Sequence, residues 1–435
     1  MRILVFGTYI LPITSPPIED GGVLIEDGII QKVGQRSELD QEEADLVVDG
    51  NLIVMPGLVN THTHAAMVGF RGLADDLPLM EWLEKHIWPM EREMVTPTFI
   101  RHGLKLAMME MIRGGTTTFA DMYFFQRDAA QVVDRVGMRA VLAEGVIDFP
   151  TPANPDPESQ LAYTESFIRE WLNHPLIIPA VGPHAPYSTS PDVYRRAHAL
   201  SERYGVPLLT HVAETQAEIQ QIQERYGKTP VEHLANLGVL DERTVAAHMV
   251  WVTEKDMDLV EQYRIGIAHC PESNLKLASG VAPVPAYLRR GLKVGLATDG
   301  ATSNNDLDMI GEMRTAALLH KGHQQDPTVA TAEQVLWMAT LGGAQVLGLS
   351  DRIGSLEPGK EADLITLDLD AAHLTPIYNP ISHVVYAAKA SDVRDVFVRG
   401  NPLLLDGEFQ TLDPEEVITT FRQEVEAPIR QKAGQ

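Results

Sequence analysis

Two histidines one residue apart, His62-Thr63-His64, follow the apolar run Val54-Met55-Pro56-Gly57-Leu58-Val59. The run reads as a buried strand, and residues two apart on a strand face the same side. Neutral imidazole is the commonest side-chain ligand for zinc and similar cations, so this spacing can grip one metal ion. A bare His-x-His pair also arises by chance. The ends of the later apolar runs strengthen the reading: His184, then His211 followed by Glu214, then His248, His269 and Asp299. A strand-end histidine alone is more often a hydrogen-bonded structural residue than a ligand, but chance does not place so many at equivalent positions. Three imidazoles and one carboxylate make a mononuclear site with room for water. A metal there lowers the pKa of bound water toward neutrality and supplies hydroxide. Glu214, three residues past His211, is close enough to shuttle a proton beside the metal without binding it. Asp299 can touch the metal and also take a proton from the attacking water, and His248 can hold the hydroxide by a hydrogen bond.

For these side chains to converge, the strands that carry them must lie side by side. Eight strand candidates are found, at 52–59, 116–122, 139–145, 177–183, 207–212, 244–252, 265–270 and 293–299. Helical stretches fall between several of them. One runs from a Thr96 cap and Pro97 to Gly114-Gly115, with Ile100, Leu104, Ala107, Met108 and Met111 on one face. Eight strand–helix units over roughly 300 residues predict an α/β fold, a (β/α)8 TIM barrel whose chemistry sits at the C-terminal strand ends. The chain ends differ in style. Residues 1–55 read as short strands, with a hairpin turn at Asp27-Gly28. Strand-like segments at 362–367 and 393–400, a turn at Asp406-Gly407, and a helix capped by Asp413 before Pro414 close the chain. The expected division is a small β-sandwich domain formed by both ends, 1–55 and 360–435 (the latter with the terminal helix), around a metal-dependent barrel at 56–359.

The chain has 435 residues, and 35 Lys and Arg against 60 Asp and Glu give a formal net charge of −25. Such a surface disfavours a nucleic-acid polymer but not a neutral nucleoside. Cys270 is the only cysteine, which excludes an internal disulfide and fits a reducing cytoplasm. No apolar run approaches the ~18–20 residues of a membrane span, and the short apolar start lacks the features of a secretory signal. Neither 139–145 nor 177–187 contains the lysine that often bridges two metals in hydrolases of this architecture, which favours one metal. Cys270 reads as a packed thiol, His320 and His323 as a solvated helix end, and His86 and His102 as helix-surface residues.

At this point the chain resembles the amidohydrolase superfamily over nearly its whole length. Pro56 to His64 resembles the first-strand signature, and Gly354-Ser355-Leu356-Glu357-Pro358-Gly359-Lys360-Glu361-Ala362-Asp363-Leu364 the signature where the chain rejoins the small domain. Within the superfamily it is similar to the 5′-methylthioadenosine/S-adenosylhomocysteine deaminases. The matching stretches are Leu79 to Leu83 with Ile87 to Glu91, Gly115 to Thr118 with Asp121-Met122-Tyr123, and His269 to Asn274. The resemblance implies metal ligands His62, His64, His211 and Asp299, with one divalent metal per subunit, zinc by default. It implies Glu214 as a proton shuttle that also touches the purine, Glu91 on the ribose 2′ and 3′ hydroxyls, and His184 as a further substrate contact. It also implies hydrolytic deamination of the adenine ring at C6, a small nucleoside as partner, and a homo-oligomer. A carboxylate suits the diol because it can accept from two neighbouring hydroxyls. The alternative for Glu91 is a surface residue; Trp82 and Trp88 read equally as substrate cover or as core.

One departure stands out. Family members that handle S-adenosylhomocysteine carry an arginine where the third strand ends and another about a dozen residues on, suited to the amino-acid carboxylate. Here Glu144 holds the first position, and 146–167 contains no lysine or arginine. The expected preference is therefore methylthioadenosine, with S-adenosylhomocysteine or adenosine weaker. Rival readings are a deaminase of guanine, 8-oxoguanine or a triazine, which would not need Glu91; an amide or ring hydrolase using the same metal site; and a silent scaffold, which the full ligand set argues against.

Overall fold

The chain passes from one sheet to another across a single residue, Gly57. In the computed structural model, which describes residues 1–433, Leu52–Pro56 pairs antiparallel with Leu364–Asp368 in a sheet built from both chain ends. Leu58–Thr63 then begins a parallel barrel beside Thr116–Tyr123. The backbone N–H of Gly57 donates to Asp363 O at 3.0 Å, and that of Leu58 to Gly115 O at 3.0 Å. A Cβ at Gly57 would lie 2.1 Å from Thr117 Oγ1, so only glycine lets the strands approach here. The expected strand at 52–59 is thus two strands in two sheets. An apolar run carries no mark of the hand-over other than Pro56-Gly57.

The barrel has eight strands in chain order. After the first two come Arg139–Val146, Ile177–Pro183, Leu208–Val212, Thr244–His248, Gly266–His269 and Lys293–Leu296. All successive pairs are parallel. This is the expected (β/α)8 architecture, with strands six to eight shorter than their apolar runs suggest. No backbone ladder joins the last strand to the first. That seam is closed by other bonds: Asn60 Nδ2 to Thr298 Oγ1 at 2.8 Å, Thr298 N to Asn60 Oδ1 at 3.1 Å, Thr61 Oγ1 to Leu296 O at 2.9 Å, and Asp299 N to His62 O at 3.0 Å.

The helix Pro97–Arg113 begins and ends where its sequence signals lie. Thr96 Oγ1 accepts from Phe99 N, and the apolar face Ile100, Leu104, Ala107, Met108 and Met111 is buried against the barrel. Between the first strand and this helix runs a cover of short turns: Ala65–Phe70, Leu79–Trp82, a π-helical turn Leu83–Ile87, and Trp88–Met94. Lys276 pins it by donating to Asp75 Oδ1 at 2.6 Å.

The second sheet is mixed and has nine strands drawn from both chain ends. The hairpin turn falls at Asp27 and Gly28, with φ of 49° and 83°, the left-handed pair that a two-residue turn requires. Asp413 caps the terminal helix through the backbone N–H groups of Glu415 and Glu416. Arg139, at the base of the third barrel strand, locks the two sheets together. Its side chain is fully buried and donates to both Asp363 oxygens (2.8 and 3.0 Å), to Glu361 Oε2 (2.6 Å) and to Pro175 O (3.1 Å). Among the described residues, no helix is long and apolar enough to cross a membrane.

Candidate active site

Five side chains with electron-pair donors converge at the C-terminal strand ends. Ligand atoms of His62, His64 and His211 lie within 4.8 Å of one another, as do those of His62, His248 and Asp299. His64 Nδ1 lies 2.6 Å from Met122 O, and His211 Nδ1 lies 2.8 Å from His184 O. A carbonyl only accepts, so both Nδ1 atoms carry the proton and both Nε2 atoms are bare. Those two bare nitrogens face each other at 3.3 Å. Asp299 Oδ1 lies 3.3 Å from His64 Nε2 and 3.4 Å from His62 Nε2, which is buried without a hydrogen-bond partner. Lone pairs pointed at one another repel unless a cation sits among them. The carbonyls behind His64 and His211 are the outer partners that fix ligand tautomers in metal sites. Three nitrogens and one carboxylate oxygen fit a divalent metal of the zinc type.

Asp299 is held in the left-handed region, φ 62°, where Gly300 N reaches its Oδ1 at 2.8 Å. Ser273 and Ser303 hydroxyls donate to Oδ2 at 2.7 and 2.9 Å, which aims Oδ1 at the histidines. Glu214 stands beside the cluster without joining it. Its Oε2 is 3.8 Å from His248 Nε2, and Ser279 donates to its Oε1 at 3.3 Å. Burial, helped by Asp299, raises its pKa above the usual carboxylate range. His248 gives its Nδ1 proton to Asn274 Oδ1 at 2.9 Å. Burial opposes charging this ring, yet Glu214 and Asp299 outweigh it and raise the pKa. His184 turns Nδ1 to Ser188 Oγ at 2.7 Å, and burial drives its pKa down to about 3, leaving a neutral ring at the pocket wall.

The pocket runs from this cluster out beneath the cover, whose Trp82, Leu83 and Trp88 form an apolar roof. Trp88 meets Phe149 from the loop after the third strand, ring centroids 5.2 Å apart at 61°. Glu91 is no surface residue: it is 7 % exposed, lines the pocket, and accepts from Tyr123 O–H at 2.8 Å. Burial pushes its pKa up to about 7, against the Tyr123 hydrogen bond that lowers it. His64, Glu91, His184, His211, Glu214, His248 and Asp299 all line this pocket, and His62 belongs to the cluster at its inner end.

Two expectations need correction. Glu144 does not face the pocket. Its carboxylate points to the start of the helix Gln126–Val136 and accepts from Gln126 N at 2.9 Å and Phe125 N at 3.4 Å. Helix N-termini attract carboxylates, so the repulsion of a substrate carboxylate by Glu144 does not hold. His320 is not solvated but buried, 3.0 Å from His269 by their Nε2 atoms, because its helix turns that face to the barrel; His323 and His86 are exposed, as expected. Ser273, Asn274 and Asp121 lie in stretches that carry the family resemblance but received no role from the sequence, and Ser279, Ser303 and Glu218 were not singled out. Glu218 carries a readable signal, the Thr215-x-x-Glu218 capping pattern, although its carboxylate goes to the N–H groups of Ala213 and Glu214.

Comparison with known proteins places this geometry in context. Residues 53–403 match the amidohydrolase family. A 5-methylthioadenosine/S-adenosylhomocysteine deaminase of Syntrophobacter fumaroxidans is 48% identical, over 93% of this chain and 92% of that protein. One of the same name from Syntrophomonas wolfei is 45% identical over 97% and 98%. The crystal structure of an adenosine deaminase from Xanthomonas campestris with bound zinc superposes with a TM-score of 0.97 at 39% identity, covering 99% of this chain and 98% of that one.

Proposed function

This chain belongs to the amidohydrolase family, within it to the 5-methylthioadenosine/S-adenosylhomocysteine deaminases, and on that premise we propose that it hydrolyses the 6-amino group of 5′-methylthioadenosine to give methylthioinosine and ammonia. The observation that carries this reading is a single pocket with a metal-type donor cluster and Glu214 at its inner end and a buried Glu91 on its wall.

In this reading His62, His64, His211 and Asp299 hold one divalent metal per subunit, zinc by its fit to three nitrogens and an oxygen. When bound, the metal supplies Lewis-acid activation of water. The protein does the rest. Glu91 takes the ribose diol. Glu214, whose raised pKa suits an acid, gives a proton to the purine ring nitrogen next to C6. Asp299 accepts a proton from the incoming water and passes it to the departing amine. His248 holds the attacking oxygen by hydrogen bond, and His184 contacts the substrate. As the C6–N bond breaks, the hydroxyl proton left at C6 returns to Glu214, so that one water is consumed and one ammonia released. The roof of Trp82, Leu83 and Trp88 keeps other water out.

The preference for methylthioadenosine over S-adenosylhomocysteine no longer rests on Glu144. It rests on the apolar wall of Trp88, Phe149 and Pro150, where Arg92 is the one lysine or arginine among the described lining residues. The division at 1–55, 56–359 and 360–435, a homo-oligomeric state and a cytoplasmic location are kept as parts of the same reading.

The direct test is ammonia release by zinc-loaded protein, in parallel on methylthioadenosine, S-adenosylhomocysteine, adenosine, adenine and guanine. Fast turnover of methylthioadenosine with poor turnover of S-adenosylhomocysteine supports the reading, and equal use of both would keep the deaminase and remove the preference. Activity on a free base alone would move the protein to a base deaminase. A pH series adds an independent check. The diol is accepted by ionised Glu91, whose pKa burial raises to about 7. KM for nucleosides is expected to rise as pH falls below about 7, while KM for adenine stays free of that limb. Glu91→Ala is expected to weaken nucleoside binding and leave free-base kinetics unaffected; an equal loss on both would remove Glu91 from the ribose.

A further inference from the structure

We propose that Tyr123 is the positioning residue that aims Glu91 at the ribose. This rests on the reading of Glu91 given above. Three consecutive residues end the second barrel strand, and each holds a different part of the site. Asp121 Oδ1 accepts from Ala65 N at 2.6 Å and Thr63 Oγ1 at 3.2 Å, which fixes the backbone on both sides of His64. Met122 O takes the Nδ1 proton of His64 at 2.6 Å. Tyr123 O–H donates to Glu91 Oε1 at 2.8 Å. One strand end therefore sets the distance between a metal-type ligand and the group that reads the sugar.

The chemistry of the contact favours aiming over charge neutralisation. Among the described residues Tyr123 is the only group that donates to the Glu91 carboxylate, and no lysine or arginine pairs with it. A cation would satisfy the buried carboxylate more fully but would compete with the sugar for it. The phenol occupies one oxygen and leaves Oε2 without a protein donor, facing a pocket where two neighbouring hydroxyls can reach it. Tyr123 is itself 4 % exposed, so its hydroxyl has no ready exchange with water. Glu91 lies on the short helix Trp88–Met94 of the cover, so the same bond ties the cover to the barrel wall.

The experiment is Tyr123→Phe in zinc-loaded enzyme, assayed on methylthioadenosine and on 2′,3′-dideoxyadenosine, with zinc content measured for each sample. Loss of an aimed hydrogen bond to a charged group predicts a rise of about 5–30-fold in KM for methylthioadenosine, with kcat changed less than about twofold and zinc retained. kcat/KM for the dideoxy substrate, which has no diol to place, should fall at least about fivefold less. In a Glu91→Gln background the added effect of Tyr123→Phe should shrink to about twofold or less, because the two residues act as one unit. A matching loss on both substrates, a fall in kcat without a rise in KM, or independent effects in the double variant would overturn the proposal. If Glu91→Gln itself harms both substrates equally, the ribose reading fails and the proposal with it. If Glu91→Gln discriminates and Tyr123→Phe does not, only the proposal fails.

Discussion

Glu214→Gln is expected to lower turnover of methylthioadenosine by about 10²-fold or more while the protein keeps its metal. The substitution preserves shape and the hydrogen bond from Ser279, since the amide oxygen can still accept. It removes the one thing the site needs from this residue, an acid proton that can be given and taken back. Burial holds that proton more firmly than in water, the condition for donating it to a ring nitrogen near neutral pH. The donors that would hold the metal come from His62, His64, His211 and Asp299, so metal content should not follow activity. Ammonia-release kinetics with metal analysis on the same sample separate the cases. Full turnover removes Glu214 from the mechanism, and parallel loss of turnover and metal makes it a ligand instead.

Arg139→Met is expected to destabilise the fold by about 3–5 kcal/mol, the range seen when one partner of a buried ion pair is removed. Arg139 is buried with Asp363, whose side chain is 1 % exposed, and with Glu361. Without the guanidinium Asp363 keeps Arg399 N at 2.8 Å but loses its charge partner; Glu361 retains Arg352 and Arg399. Arg139→Lys should fall between, because an ammonium keeps the charge but not the fork that meets both oxygens of Asp363. Urea unfolding followed by circular dichroism, at matched metal saturation, reads both variants. A methionine variant within about 1 kcal/mol of wild type would show that the interlock adds nothing net.

The parts legible in the sequence were those whose signal is local. His62-Thr63-His64, the strand-end His211 and Asp299, the Thr96 and Asp413 caps and the Asp27-Gly28 turn each depend on neighbours within a few residues. What stayed hidden depends on partners far along the chain. Nothing near Ser273 or Ser303 says that both will hold Asp299, and nothing near Arg139 names Asp363, 224 residues away. Glu144 misled because a strand residue's side follows from where the strand ends, and one residue of register reverses it. His320 misled because charged and amide neighbours described the exposed face of its helix and not the face turned inward.

The barrel seam carries a consequence for the order of events as the chain folds. Its closing bonds join residues 238 apart, Asn60 and Thr298, whereas the other parallel pairs join strands that follow one another. Loop entropy places such a contact late, after the nearer strand pairs have shortened the separation. His62 and His64 lie on one side of that seam and Asp299 on the other. If His62, His64, His211 and Asp299 hold the metal as proposed, the full set comes together only when the barrel closes, and a half-folded chain would offer a metal ion no more than a partial grip. Tight capture would then report that folding is finished, with the ion bridging the two edges that met last.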